Sequence, residues 1–293
     1  MIIFNADDYG INIRQAKEIL ACKDKGCLNS VSLLVNGPEA ECITGILPKE
    51  LRCRLHLNFR EGQCLSAPSD IPLLVNENGF FCLSFMGLLI LSLIRSKKLK
   101  QQLMIEIDLQ LKRFLKLSGE DRPLRVDSHG HYHMIPVVWD ALFETCKKNG
   151  VDIEEIRIPA EPFGPFLSHP QSLLHLPVLG IIKNLLMHVL YTINKISGSH
   201  PKDFDFQKRA PVFFGMIYTT RMFKATVRKY LPDFLRLAHA RNRDLELMFH
   251  PGGLKEKDEL WDLRFAAFHL SNDRRKEAKT LSFLKNLFKG KNL

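Results

Sequence analysis

Seven short stretches rich in apolar and β-branched residues, nearly all separated by helical patterns, constrain this 293-residue chain more than any other feature. Residues 2–6, 30–35, 54–59, 124–128, 155–158, 212–216 and 245–249 read as strands. Residues 15–25, 101–117, 137–148, 173–193 and 223–241 read as helices, the fourth interrupted near Pro177. In 54–59 the alternation is explicit: Leu55, Leu57 and Phe59 take one face, Arg54, His56 and Asn58 the other. Such alternation of strand and helix argues for an α/β fold, a parallel sheet with helices outside. A barrel and a doubly wound open sheet satisfy it equally. No linker rich in Gly, Ser and Pro divides the chain, so residues 1–272 are expected to form one (β/α) domain. Residues 273–293 read as a basic amphipathic helix, part of that domain or appended to it.

In a parallel barrel, chemistry collects at the C-terminal ends of the strands. Four expected strands carry unusual residues at or near that end. Asp7-Asp8 follow the first, and His56 lies within the third. His129-Gly130-His131-Tyr132-His133 follow the fourth, and His250 follows the last. One such histidine alone reads as packing and one Asp-Asp turn as a helix cap; four at comparable places read as a site. Imidazole with a carboxylate suits zinc, iron, cobalt or manganese. A bound ion lowers the pKa of its water and polarises a carbonyl. Two adjacent carboxylates divide the work, one holding metal and one taking the water's proton. Glu246 and His250 are four apart and share a strand face, so Glu246 is expected to orient His250, whose protonated form would be a general acid. Asp127 is expected to fix a histidine tautomer. His131 and His133 stand evenly between lining the site and packing beneath it, since Gly130 is expected to bend the chain there. His169, His175, His188, His200, His239 and His269 sit in no motif and read as packing.

Asn5-Ala6-Asp7-Asp8-Tyr9-Gly10 resembles the N-A-D-D-F-G signature of the YdjC/ChbG-like carbohydrate deacetylases. Four further matches follow in order: Ser32-Leu33-Leu34-Val35-Asn36, Leu55-His56-Leu57-Asn58, Asp127-Ser128-His129-Gly130-His131-Tyr132-His133, and Glu246-Leu247-Met248-Phe249-His250-Pro251-Gly252. Weaker echoes occur at Gly79-Phe80, Arg157-Ile158-Pro159 and Phe214-Gly215. The resemblance implies an irregular TIM-type (β/α) barrel of about seven parallel strands with outer helices. It implies a metal-dependent hydrolase of a linear amide C–N bond, removing the N-acetyl group from an amino sugar, chitooligosaccharides being the best-known substrates. At the matching positions it implies Asp8, His56 and His129 as ligands of one divalent ion, magnesium or zinc. Asp7 would be the catalytic base for water on that ion, and His250 the acid. Arg157 would line the sugar site, with Asn58, Asp127, His131, His133 and Glu246 binding substrate or supporting the site. Two departures, Tyr9 for the commoner Phe and Gly130 where some relatives have another polar residue, bear on substrate preference.

The net charge of +10 favours anionic partners. Half of it sits in residues 273–293, where seven basic residues face two acidic ones, a pattern that reads as a solvated helix face. A nucleic-acid-binding protein is the non-enzyme alternative. No interleaving of aromatic with basic residues supports it, so no nucleic acid is expected as partner. Among enzymes, the alternative is a metal-dependent hydrolase of another bond, such as a phosphodiester. Seven cysteines without a CxxC pair read as reduced thiols. With no basic leader before an apolar stretch, the protein is expected to be cytoplasmic. The apolar run 80–94 would reach about 22 Å as a helix, against about 30 Å of hydrocarbon, and does not span. It is followed at once by Arg95, Lys97, Lys98 and Lys100; residues 173–193 are also apolar, and Leu281, Leu284, Leu287 and Phe288 lie beside the C-terminal lysines. These faces either pack on the barrel or dock on anionic lipid. In the second case the protein is peripheral at the membrane and its acetylated sugar lipid-linked. A homodimer stays open.

Overall fold

The computed structural model describes residues 1–119 and 123–288, so the last five residues of the expected C-terminal helix lie outside the described residues. All seven expected strands form: β1 Ile2–Tyr9, β2 Ser30–Leu33, β3 Arg52–Leu57, β4 Leu124–Ser128, β5 Ile153–Ile156, β6 Val212–Phe214 and β7 Leu245–Phe249. Every pairing is parallel, in the order β5-β4-β3-β2-β1-β7-β6. That is the cyclic order of a barrel opened between β5 and β6, and the sheet curls into a half-barrel with helices around it. The strands are buried almost throughout, as parallel strands covered on both faces must be.

The helices are α1 Ile13–Asp24, α2 Ala40–Gly45, α3 Phe85–Ser118, α4 Pro136–Lys148, α5 Gly164–Leu167, α6 Val178–Ser197, α7 Phe206–Arg209, α8 Lys224–Ala240, α9 Ala266–His269 and α10 Asn272–Leu287. The apolar run before residue 95 and the helix expected at 101–117 are one element, α3. It starts where the Ser84 hydroxyl accepts from the Gly87 amide at 3.0 Å and bends at Arg95 (φ −129°, ψ 34°). With no proline in between, nothing else breaks it. Pro177 instead sets the start of α6, its fixed φ leading into the first turn. Among the described residues, no helix is long and apolar enough to cross a membrane.

The open side is closed by side chains. Glu161, beyond β5, accepts from the amides of Gly215 and Ile217 beyond β6, at 2.7 Å each. Burial pushes its carboxyl up to about 8, although those amides oppose the shift. Asn184 of α6 accepts from the Glu161 amide and donates to its carbonyl, which ties α6 across the gap. Gly180 lets α6 approach this closely: a Cβ there would stand 2.1 Å from the Ile217 carbonyl oxygen. The basic C-terminal stretch is not merely a solvated face. Leu281 and Leu284 of α10 are fully buried, and Arg274 points inward to the site, where a carboxylate compensates its burial.

Candidate active site

Consecutive strand residues face opposite ways, yet Asp7 and Asp8 both reach one cleft. The β1–β2 register slips between Ala6 and Tyr9, and Asp8 takes a left-handed φ of 63°, which Asp tolerates better than most residues. This bulge at the end of β1 brings both carboxylates to the site.

Asp8 Oδ1 lies 2.9 Å from His129 Nδ1 and 3.6 Å from His56 Nε2. All three side chains are buried and their ligand atoms lie within 4.8 Å of one another. Each imidazole has a second carboxylate behind it. His56 Nδ1 bonds Asp127 Oδ1 at 2.5 Å, and His129 Nε2 lies 3.1 Å from Glu61 Oε2. His56 Nε2 is buried with no hydrogen-bond partner. Donors spaced by roughly 3 to 3.5 Å are what adjacent ligands around an ion with bonds of about 2.1 Å require. An Asp-His-His set braced by outer carboxylates is also the usual donor chemistry. The residues fit a divalent cation. Electrostatics agree: burial would lower His56, but Asp127 and Asp8 outweigh it and raise it to about 10. His129 is likewise raised, burial being overcome by Asp8 and Glu61. Burial opposes the ionisation of Asp8, but His129, His56 and Arg274 hold its carboxyl well below the usual range.

Asp7 is clamped from below. Arg157 donates from Nη1 to Asp7 Oδ2 and from Nη2 to Asp7 Oδ1, both at 2.8 Å, and from Nε to Glu246 Oε1 at 2.7 Å. Its Nη2 also lies 2.8 Å from Asp127 Oδ2. Arg157 is wholly buried and lies outside the cavity lining; three carboxylates draw its guanidinium beneath the floor. Asp7 Oδ2 faces His250 Nε2 across 3.9 Å. Glu246 does not meet His250, because four residues along a strand span about 13 Å. It pairs with Arg157 and Arg54 instead. The carboxylate beside His250 is Glu277 of α10, which accepts from the His250 amide and lies 3.9 Å from Nδ1. Burial lowers His250 to about 4 despite Asp8 and Asp7, with Arg274 and Arg157 adding to the fall. Burial raises Glu277 to about 7.

The remaining candidates separate cleanly. Gly130 and His131 both take left-handed φ, 63° and 62°, and this bend brings His131 to the cavity wall. A Cβ at Gly130 would stand 3.0 Å from Arg60 Nη1, so Arg60 fills the space a side chain would use. His133 packs beneath, bonded to Ser128 Oγ at 2.6 Å and the Arg157 carbonyl at 2.8 Å. Asn58 stays out of the cavity. Its Oδ1 accepts from the amides of Arg60 and Glu61 and its Nδ2 donates to the Glu61 carbonyl, so it shapes the loop that presents Glu61. The sequence reading misses Glu61, Glu277, Arg274 and His269. Arg274 donates to Asp8 Oδ2 at 3.2 Å, and His269 bonds Glu61 Oε1 at 2.7 Å. The one available signal is the spacing of Arg274 and Glu277, three apart on one helix face. A cavity of about 640 Å³ opens over this cluster, lined by Asp7, His129, His131 and His250 and walled by Phe85, Ile182, Met216 and Phe268.

The family model described as YdjC-like protein matches residues 1–283. A carbohydrate deacetylase from Mus musculus is 33% identical over 162 residues, 55% of this chain and 51% of that protein. A chitooligosaccharide deacetylase from Proteus mirabilis is 28% identical over 164 residues, 55% of this chain and 61% of that one. The chain thus spans about half to three fifths of the length of these relatives. A crystal structure from Enterococcus faecalis, described as a cellobiose-phosphate cleavage protein, superposes with a TM-score of 0.62 at 17% identity. It covers 98% of this chain and 93% of the other, a likeness of fold.

Proposed function

Because this chain belongs to the YdjC-like protein family, we propose that it hydrolyses the acetamide of an N-acetylated amino sugar, releasing acetate and the free amine. The carrying observation is the buried convergence of Asp8, His56 and His129, each imidazole braced by its own carboxylate. These three would hold one divalent ion, magnesium or zinc. Such an ion would supply a water of lowered pKa and polarise the acetamide carbonyl.

The chain's own groups do the rest. Asp7, held in one orientation by the Arg157 fork, accepts the proton of the attacking water. His250, across 3.9 Å from Asp7, stands where a protonated imidazole delivers a proton to the departing amine nitrogen. Because burial keeps His250 neutral at pH 7, the proton it delivers is the one Asp7 has taken from the attacking water, passed on across the short gap between them. His131, on the cavity wall, and Arg60 face the sugar. Apolar walls from Phe85, Phe265 and Phe268 exclude water around the acetyl group.

The test is a panel of N-acetylated mono- and oligosaccharides incubated with magnesium, zinc, cobalt or manganese, read as acetate released. Acetate with an equal amount of free amine is the expected result. Hydrolysis of a phosphodiester with no acetate from any sugar would overturn the assignment.

A further inference from the structure

The mouth of the cavity is built by two helices whose outer faces are uncovered. Met86 of α3 and Ile182 and Leu186 of α6 line the cavity, so both helices border it. Along α6, Val178, Ile182, Leu185, Val189, Ile193 and Ile196 are all exposed, at the spacing of a single stripe on a helix surface. The opposite face, with Gly180, Asn184, Met187 and Leu190, holds α6 to the body. On α3, Ile90, Leu93 and Ile94 are exposed in the same way, Leu93 at 81%. Packing on the half-barrel accounts for the inner faces and leaves this apolar surface unexplained.

Charge says what covers it. No Asp or Glu occurs between Glu77 and Glu106, or between Glu161 and Asp203. Those two segments contain seven cations, Arg95, Lys97, Lys98, Lys100, Lys183, Lys195 and Lys202, of which Lys100 is paired with Glu144 of α4; residues 273–293 carry a further +5, and the remaining chain is slightly acidic. A second copy docked by two-fold symmetry would set these cations against one another. A nucleic acid would leave the apolar stripe in water. Apolar helical faces with cations and no acids match a surface that is anionic above and hydrocarbon below.

We propose that α6 and the first half of α3 dock this protein on an anionic lipid surface, with the cavity mouth turned toward the lipid, and that its acetylated sugar is carried on a lipid anchor. The second part rests on the deacetylase reading. Each basic residue near such a surface adds about fivefold in binding, and each buried leucine or isoleucine side chain about ten- to a hundredfold.

The test is co-sedimentation of the full chain with vesicles of phosphatidylcholine, with and without phosphatidylglycerol. Acetate release is measured in parallel from soluble diacetylchitobiose and from an N-acetylglucosaminyl lipid in the same vesicles. The protein is expected to sediment with the anionic vesicles, and less so as salt shortens the screening length from about 30 Å to about 8 Å. The triple variant Leu185→Ser, Val189→Ser, Ile196→Ser and the double variant Lys97→Ala, Lys98→Ala should each bind at least about tenfold more weakly. Both should lose vesicle-borne turnover in proportion while keeping turnover on the soluble sugar, since none of these side chains lines the cavity. Wild-type protein left in the supernatant of anionic vesicles at low salt overturns the docking, as do variants that sediment like wild type. Docking with acetate released from the soluble sugar alone overturns the lipid anchor. Docking with acetate from neither substrate contradicts the deacetylase reading and leaves the docking intact.

Discussion

Replacing Arg157 by Met removes the one cation shared by Asp7, Asp127 and Glu246. The three carboxylates do not suffer equally. Glu246 keeps Arg54 at 3.2 Å and Asp127 keeps His56 at 2.5 Å. Asp7 is left with Asn5 and a distant Ser32 hydroxyl. One buried carboxylate therefore loses its counter-charge outright, a change that costs about 3–5 kcal/mol. With roughly 2 °C of Tm per kcal/mol for a chain of this length, the midpoint should fall by about 6–10 °C. Turnover should fall by about 10²-fold or more, because Asp7 is no longer held toward the reacting water. Arg157→Lys restores the charge without the fork, so it should recover part of the Tm while turnover stays at least about tenfold down. Calorimetry and acetate release on the three proteins measure both effects. A variant with raised KM, unchanged kcat and unchanged Tm would refute this reasoning and return Arg157 to the sugar site.

Other consequences are equally direct. His56→Ala and His129→Ala should each abolish stoichiometric metal together with activity; elemental analysis showing full metal in both would remove them as ligands. Asp7→Asn should keep the metal and lose roughly 10²-fold in turnover, and near-normal turnover would exclude it as base. His56 is raised to about 10 and so is protonated at pH 7, yet it binds an ion only as the neutral base. Each ion bound at pH 7 should thus release at least about one proton, and affinity should rise with pH. Calorimetric titration in two buffers of different ionisation enthalpy counts those protons, and a count of zero would contradict the assignment. Glu277→Gln should leave metal content unchanged and alter the pH dependence of turnover through His250; an unchanged profile would detach α10 from the acid.

The strands were legible because each is a short apolar run that a parallel sheet buries on both faces, and the histidines because they stand just beyond strand ends. What lies behind them was not. Asp8 meets Arg274 across 266 positions and Glu61 meets His269 across 208, and no local pattern encodes such pairs. Glu246 shows the risk of local reasoning: it shares a strand face with His250, but the cations next to it belong to β3 and the end of β5. The opening between β5 and β6 was hidden for the same reason, since Glu161 closes it through amides more than fifty residues away.

The proposed centre is one catalytic ion per chain held by Asp8, His56 and His129. Stripping the protein with chelator and titrating one divalent metal back while recording acetate from diacetylchitobiose tests it most directly. The expected trace rises from no activity and breaks at one ion per chain. Undiminished acetate release from metal-free protein would contradict it.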